Sequence, residues 1–262
     1  KSYDFNGTVG KNLNLTMSGS GTQAFTGTVS AVNGNISVTG SGTLSFTNAL
    51  SNIKAVSISK GRLVTTGGMA AQSLTMSGGA ISGGSLAVTD LTVSKAATVG
   101  NSSVTVGGTF DLGADVTWGD ATDLTLNGTL VLSNGATLTG LNSLTFGSGA
   151  VIDLRHVTPG EGNVYTVFSG IETVTGFTGE NNPNCLYNGQ GWDATFAITD
   201  GTGTITLTRT NTSLVYASTG TASAPASLTW DADTLFTTNS GSQATTASDS
   251  VVSFTGYTNA TL

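Results

Sequence analysis

Residues 104–154 read VTVGGTFDLGADVTWGDATDLTLNGTLVLSNGATLTGLNSLTFGSGAVIDL, and their apolar residues fall in pairs two apart. The pairs are Val104/Val106, Phe110/Leu112, Val116/Trp118, Leu124/Leu126 and Leu130/Leu132, then Leu138 alone, then Leu144/Phe146 and Ile152/Leu154. Residues two apart share one face of a β-strand, because successive side chains point to opposite sides. Successive pairs begin at offsets of 6, 6 and 8 and then 6, 8 and 6, so Val104, Leu124 and Leu144 mark equal circuits. Three short strands per circuit is the pattern of a chain wound into a solenoid, each turn stacking its inward pairs on those of the turn before. The expected fold is therefore all-β, a parallel β-helix of about 20 residues and three short strands per coil.

Composition supports that reading. The chain of 262 residues carries 37 Gly and 3 Pro, with 9% charged and 37% hydrophobic residues. Thr, Val and Ile suit a pleated surface, and glycine at this density marks tight corners. A disordered chain would be poorer in apolar residues and richer in charge. The formal net charge is -7 with 8 Lys plus Arg, and these are scattered singly. Nucleic-acid binding needs a basic patch that displaces counterions from phosphate, so no nucleic-acid partner is expected. No apolar run is long enough to span a bilayer, so no membrane insertion by this segment is expected. One cysteine, Cys185, excludes an internal disulfide, and with His156 as the only histidine it leaves no zinc set. Calcium-binding nonapeptides of the Gly-Gly-x-Gly-x-Asp type are absent, and no cofactor is expected.

The N-terminal part repeats itself. Gly19-Ser20-Gly21-Thr22-Gln23-Ala24-Phe25-Thr26 returns at an offset of 21 as Gly40-Ser41-Gly42-Thr43-Leu44-Ser45-Phe46-Thr47, and Ile36/Val38 returns as Val56/Ile58 at an offset of 20. The pattern Gly-x-Gly-Thr-Leu-x-Phe-Thr of residues 40–47 resembles the repeat of bacterial autotransporter-type passenger proteins, the autotransporter-associated β-strand repeat. That resemblance implies a right-handed parallel β-helix on the bacterial cell surface or outside the cell. Residues 202–208, Thr-Gly-Thr-Ile-Thr-Leu-Thr, alternate strictly and are similar to the antiparallel modules that follow or close such a solenoid. Leu228-Thr229-Trp230-Asp231 and residues 249–256 resemble segments that open a further array in the same proteins. The chain starts at Lys1 and stops at Leu262 within a strand-like pattern, so it is expected to be a fragment of a larger secreted precursor. The expected organisation is a parallel β-helix over 1–157, an antiparallel β module over 158–209 that caps or follows it, and the start of a further β-rich unit over 210–262. Between residues 61 and 101 the beat is less even, which is read as coils whose corners bulge outward.

Several constellations could carry chemistry. Asp111, Asp115, Asp120 and Asp123 cluster between strands, and paired carboxylates are what glycoside hydrolysis needs. Asp111 flanks inward Leu112 and so faces out, with the others at corners, which reads as solvated turn residues. Asp153, Arg155 and His156 gather an acid, a cation and the only histidine at the end of the regular stack. Asp153 and Arg155 share the outward face at a spacing of two, which a surface ion pair explains. Trp118 is read as core, because it keeps the inward phase of Val116. Asn127, Asn134 and Asn142 recur near coil spacing and are expected to form side-chain ladders or to take left-handed turn positions. Asn14, Asn35, Asn127 and Asn211 open Asn-x-Ser/Thr triplets that gain meaning only in a eukaryotic secretory context. Flat ranks of Thr on a solenoid would suit ice, but outside 202–208 the threonines are not seen to recur at a fixed coil position. The expectation is a non-catalytic, adhesin-like structural solenoid, a rigid spacer or display surface, with glycans or host or bacterial surface proteins as partners. The alternative is a carbohydrate-active β-helix, lyase or hydrolase, or a glycan-binding module.

Overall fold

The computed structural model describes residues 1–10, 14–29, 33–133, 136–153, 164–176, 184–186, 192–209, 213–216, 236–237 and 251–254. Among them there is no helix, and none therefore long and apolar enough to cross a membrane. Strands stack in parallel as a β-solenoid of about seven turns. Each turn contributes to three strips of sheet. The first strip stacks Ser2–Phe5, Thr22–Phe25, Thr43–Phe46 and Arg62–Thr65, then the starts of Ala80–Val93 and Ala97–Val106, then Val116–Trp118. The second strip begins at the Val9–Val29 bridge. It continues through the opening residues of Leu50–Ile58 and Met69–Met76, the middle of Ala80–Val93 and the end of Ala97–Val106, to Asp123–Leu126, Ser143–Phe146 and Thr173–Thr175. The third strip runs from Asn14–Met17 and Asn35–Val38 through residues 55–58, 73–76 and 90–93. It ends with Thr109–Leu112, Thr129–Leu132, Val151–Asp153 and Asn184–Leu186.

The alternation that defines the sequence is the alternation of burial. Every inward residue expected between 104 and 152 is buried, Trp118 among them, and Val104, Phe110, Leu124, Leu130, Leu144 and Ile152 are fully so. Full burial of such a side chain stabilises by about 1.5–3 kcal/mol. Between turns the backbone amides close the stack: Thr43 N donates to Gly21 O, Arg62 N to Gly42 O and Ala80 N to Gly61 O, each at 2.9 Å. Trp118 meets Phe110 edge-on, with ring centroids 6.3 Å apart.

Coil length varies along the stack. Register places Thr22 on Ser2 and Thr43 on Thr22, steps of 20 and 21, but Arg62 on Thr43 and Ala80 on Arg62, steps of 19 and 18. Where Met69–Met76 pairs with Leu50–Ile58 the register shifts between Leu50 and Ile53, and the uneven stretch holds shorter coils. There Ala80–Val93 is a single 14-residue strand that serves all three strips. It bends at Gly83, whose φ of +136° is open to glycine, and a Cβ there would strike Thr65 O of the coil before.

The parallel winding continues past residue 157. Thr173–Thr175 pairs with Ser143–Phe146, and Asn184–Leu186 pairs with Val151–Asp153. The first-strip position after Val116–Trp118 is taken by Leu138–Thr139, which belongs to a separate four-stranded sheet. In that sheet Leu138–Thr139 pairs in parallel with Val164–Ser169, which pairs antiparallel with Thr202–Arg209, and Trp192–Thr199 lies beyond. Residues 1–187 with 195–206 form one compact unit, and residues 188–194 with 207–262 form another. The second contains a three-stranded mixed sheet in which Ser213–Tyr216 pairs antiparallel with Phe236–Thr237 and parallel with Val251–Phe254.

Candidate functional site

An in-register solenoid turns sequence positions into straight rows on its surface, so the candidate site is a set of outward rows rather than a pocket. On the second strip, Ser85, Ser103, Asp123, Ser143 and Thr173 stack in one row. The row beside it stacks Ala70, Ala87, Thr105, Thr125, Thr145 and Thr175. The expectation that threonines do not recur at a fixed coil position outside 202–208 is thus overturned. The inward neighbours Val104, Leu124 and Leu144 align first, and the alternation of the strand carries Thr105, Thr125 and Thr145 into line on the other side.

Hydrogen bonds between coils hold these side chains in place. Thr145 Oγ1 and Thr175 Oγ1 lie 2.9 Å apart. Asn142 Nδ2 and Ser143 Oγ both donate to Asp123 Oδ1 at 2.7 Å. The Ser143 bond, then the Asn142 bond, hold the Asp123 carboxyl below its ordinary range, outweighing the small opposing effect of burial.

The third strip carries a second hydroxyl row, Thr16, Ser37, Ser57, Thr75 and Thr92, which then changes character to Asp111, Val131 and Asp153. The expected cluster of four aspartates is dispersed by the winding. Asp111 lies on the third strip, Asp123 on the second, and Asp115 and Asp120 are exposed at corners. Ser133 Oγ donates to Asp111 Oδ1 at 3.3 Å.

Asp153 is corrected in one respect. It keeps the outward register of Val131 but is only 1% exposed, so it is withdrawn from the solvent in which a surface ion pair would lie. Arg155 and His156 lie outside the described residues. Asp111 and Asp153 share one row two coils apart, about 9–10 Å at the backbone, with Val131 between them.

The left-handed asparagine positions sit elsewhere than expected. Asn33 and Asn52 both adopt left-handed backbone, φ of 60° and 57°, and Asn33 N donates to Asn52 O at 2.9 Å. Asn127 and Asn142 do not take left-handed backbone, Asn142 serving Asp123 instead, and Asn134 lies outside the described residues. Two shallow surface grooves among the described residues follow this same corner between second and third strips, one beside Asn33, Asn52 and Ala70, the other beside Lys54, Gln72 and Asp90.

Inside the corner between first and second strips, a column that begins Phe5, Phe25 and Phe46 continues as Thr65, Gly83 and Asn101. Asn101 Nδ2 donates to Gly84 O at 2.9 Å, and Thr122 Oγ1 donates to Asn101 O at 2.8 Å. Sequence alternation does not announce this buried polar corner, because Asn and Thr also occupy exposed turns throughout the chain. Among the described residues, no group of three or more His, Cys, Asp or Glu is placed to hold a metal ion. No family model, curated protein or solved structure matches this chain.

Proposed function

We propose that this chain is a non-catalytic structural segment of an adhesin-like, autotransporter-type passenger, a rigid spacer and display surface outside a bacterial cell. The observation that carries this reading is the parallel register that stacks strands from Ser2–Phe5 to Asn184–Leu186 around an apolar core. A stack in which each coil's backbone is bonded to the next resists bending and offers few open peptide bonds to proteases. The Gly-x-Gly-Thr-Leu-x-Phe-Thr repeat supports the passenger assignment, and the acidic, Lys-poor surface agrees with an extracellular setting. Partners are glycans or host or bacterial surface proteins, engaged weakly at many points by the third-strip hydroxyl row and the corner grooves, with avidity supplied by repetition.

Two experiments test the reading. Fused between an outer-membrane anchor and a reporter, the chain is expected to hold the reporter away from the cell and to survive a protease that digests a flexible linker of equal length. A glycan array with a parallel assay for released sugar tests the catalytic alternative. Release of product that disappears in Asp153→Asn would make the chain an enzyme and overturn the scaffold.

A further inference from the structure

We propose that the corner between third and first strips binds an anionic polysaccharide, one whose repeating units carry carboxylates or sulfates. The inference goes beyond the scaffold reading and does not depend on it. Lys and Arg are scattered singly in the sequence, and winding gathers them. Residues 59–61, 77–79 and 94–97 are successive passes of this corner, since Ile58, Met76 and Val93 stack at the end of the third strip and Arg62, Ala80 and Thr98 at the start of the first. Lys60 and Lys95, both exposed, therefore stand two passes apart, about 9–10 Å at the backbone. Between them Gly78 and Gly79 present bare backbone, with φ of 137° and 70°. Arg62 starts from the same corner, and its Nε and Nη2 donate to Ser82 Oγ at 3.2 and 3.0 Å, which lays the guanidinium on the next coil.

The patch is not neutralised from within. Among the described residues no carboxylate pairs with Lys60, Arg62 or Lys95, and the next acid on this corner, Asp115, lies one pass beyond Lys95 without an ion pair to it. Arg62 is held by a neutral hydroxyl that is itself 8% exposed. Its conformational freedom is already lost, while the Nη1 edge stays open to an oxyanion. Charge also segregates along the winding axis. Five of the eight Lys and Arg precede residue 90, against one of the fifteen Asp and Glu. In a solenoid, order in sequence is order in height, so the early coils are net positive although the whole chain carries -7. The surroundings select the polymer. Cations about 10 Å apart are too widely set for one small oxyanion to touch together, and they suit charges repeated along a chain. The outward neighbours Thr43, Ser77 and Thr98 offer hydrogen bonds to a hydroxyl-rich partner. Between residues 43 and 98 the single aromatic, Phe46, is buried, so the face has no platform for nucleic-acid bases and no aromatic anchor for a folded protein.

The test is retention of the whole chain on immobilised heparin and polygalacturonate at low salt, beside neutral dextran and duplex DNA, with affinities from titration of the soluble polymers. Retention on one or both anionic polysaccharides, lost as salt is raised, is the expected result, and the two polymers tell sulfate from carboxylate. The triple variant Lys60→Gln, Arg62→Gln and Lys95→Gln is expected to bind about 10–100-fold more weakly with an unchanged circular-dichroism spectrum. Lys60→Gln alone should weaken binding about threefold. Thr66→Glu shifts net charge equally but stands exposed at the corner between first and second strips, and is expected to bind as the native chain does. Passage of the native chain through both anionic resins overturns the proposal, as does equal retention on dextran or stronger retention on DNA. Undiminished binding by the triple variant, or equal loss in Thr66→Glu and Lys60→Gln, overturns it as well. The scaffold reading stands under each of these outcomes, since reporter extension and protease resistance do not use this corner.

Discussion

The first coil and the middle coils carry the same alternation and have opposite burial. Ser2–Phe5 is exposed along its whole length, whereas Thr109–Leu112 buries Phe110 and Leu112 completely. The column Phe5, Phe25 and Phe46 shows the transition inside one row, with exposures of 41%, 8% and 1%. Phe25 stacks on Phe46 at 5.1 Å and meets Phe5 at 5.7 Å. Alternation specifies which face of a strand is inward. Only a coil on each side makes that face a core, so the energetics of this molecule belong to the interfaces between coils.

Truncating the column at its two ends tests that statement most directly. Phe46→Ala is expected to lower unfolding free energy by about 3–5 kcal/mol, the range for a buried phenylalanine. Phe5→Ala should cost only about 1 kcal/mol, since much of its ring is already in water. Denaturant titration of both variants checks the difference, and equal losses would break the comparison.

Next in size is Gly83→Ala, in the middle of the stack. Its positive φ and the nearby Thr65 carbonyl predict a loss of about 1–3 kcal/mol. The same change at Gly10, on the exposed first coil, meets no atom within 4 Å and is expected to leave the melting temperature unchanged.

A smaller effect is expected at Asp123. Its carboxyl is depressed in the folded chain by bonds from Ser143 and Asn142, so the stabilisation is present above the unfolded carboxylate pKa and is lost as pH falls through the lower folded value. Thermal melts from about pH 5 downward should show native stability falling more steeply than that of Asp123→Asn, and parallel curves would count against the carboxylate network. Smallest of all, Thr145→Val is expected to lose about 0.5–1 kcal/mol with the hydroxyl contact to Thr175, visible as a slight drop in denaturation midpoint.

The inward half of the solenoid was legible in the sequence, because burial rewards apolar residues and leaves a period of two within strands. The solenoid fold, the core position of Trp118 and the run of inward pairs up to Ile152 all follow from that signal. The outward half was nearly silent. Outward positions bury little, so Thr, Ser, Asn and Asp interchange there and mark no register. Thr105, Thr125 and Thr145 are evenly spaced along the chain, yet they are lost among other threonines, and Thr175 follows only after a longer interval. Coil length alone decides which outward residues meet, and insertions such as the one between Val151–Asp153 and Asn184–Leu186 are absorbed without moving the inward stack. For the same reason four aspartates close in sequence were parted, while Asp111 and Asp153, far apart in sequence, came into one row. The local pattern of the chain by itself determined that it winds and which residues turn inward. Winding decided the surface, because hydrogen-bond register between distant coils is a property of the assembled stack rather than of any one strand.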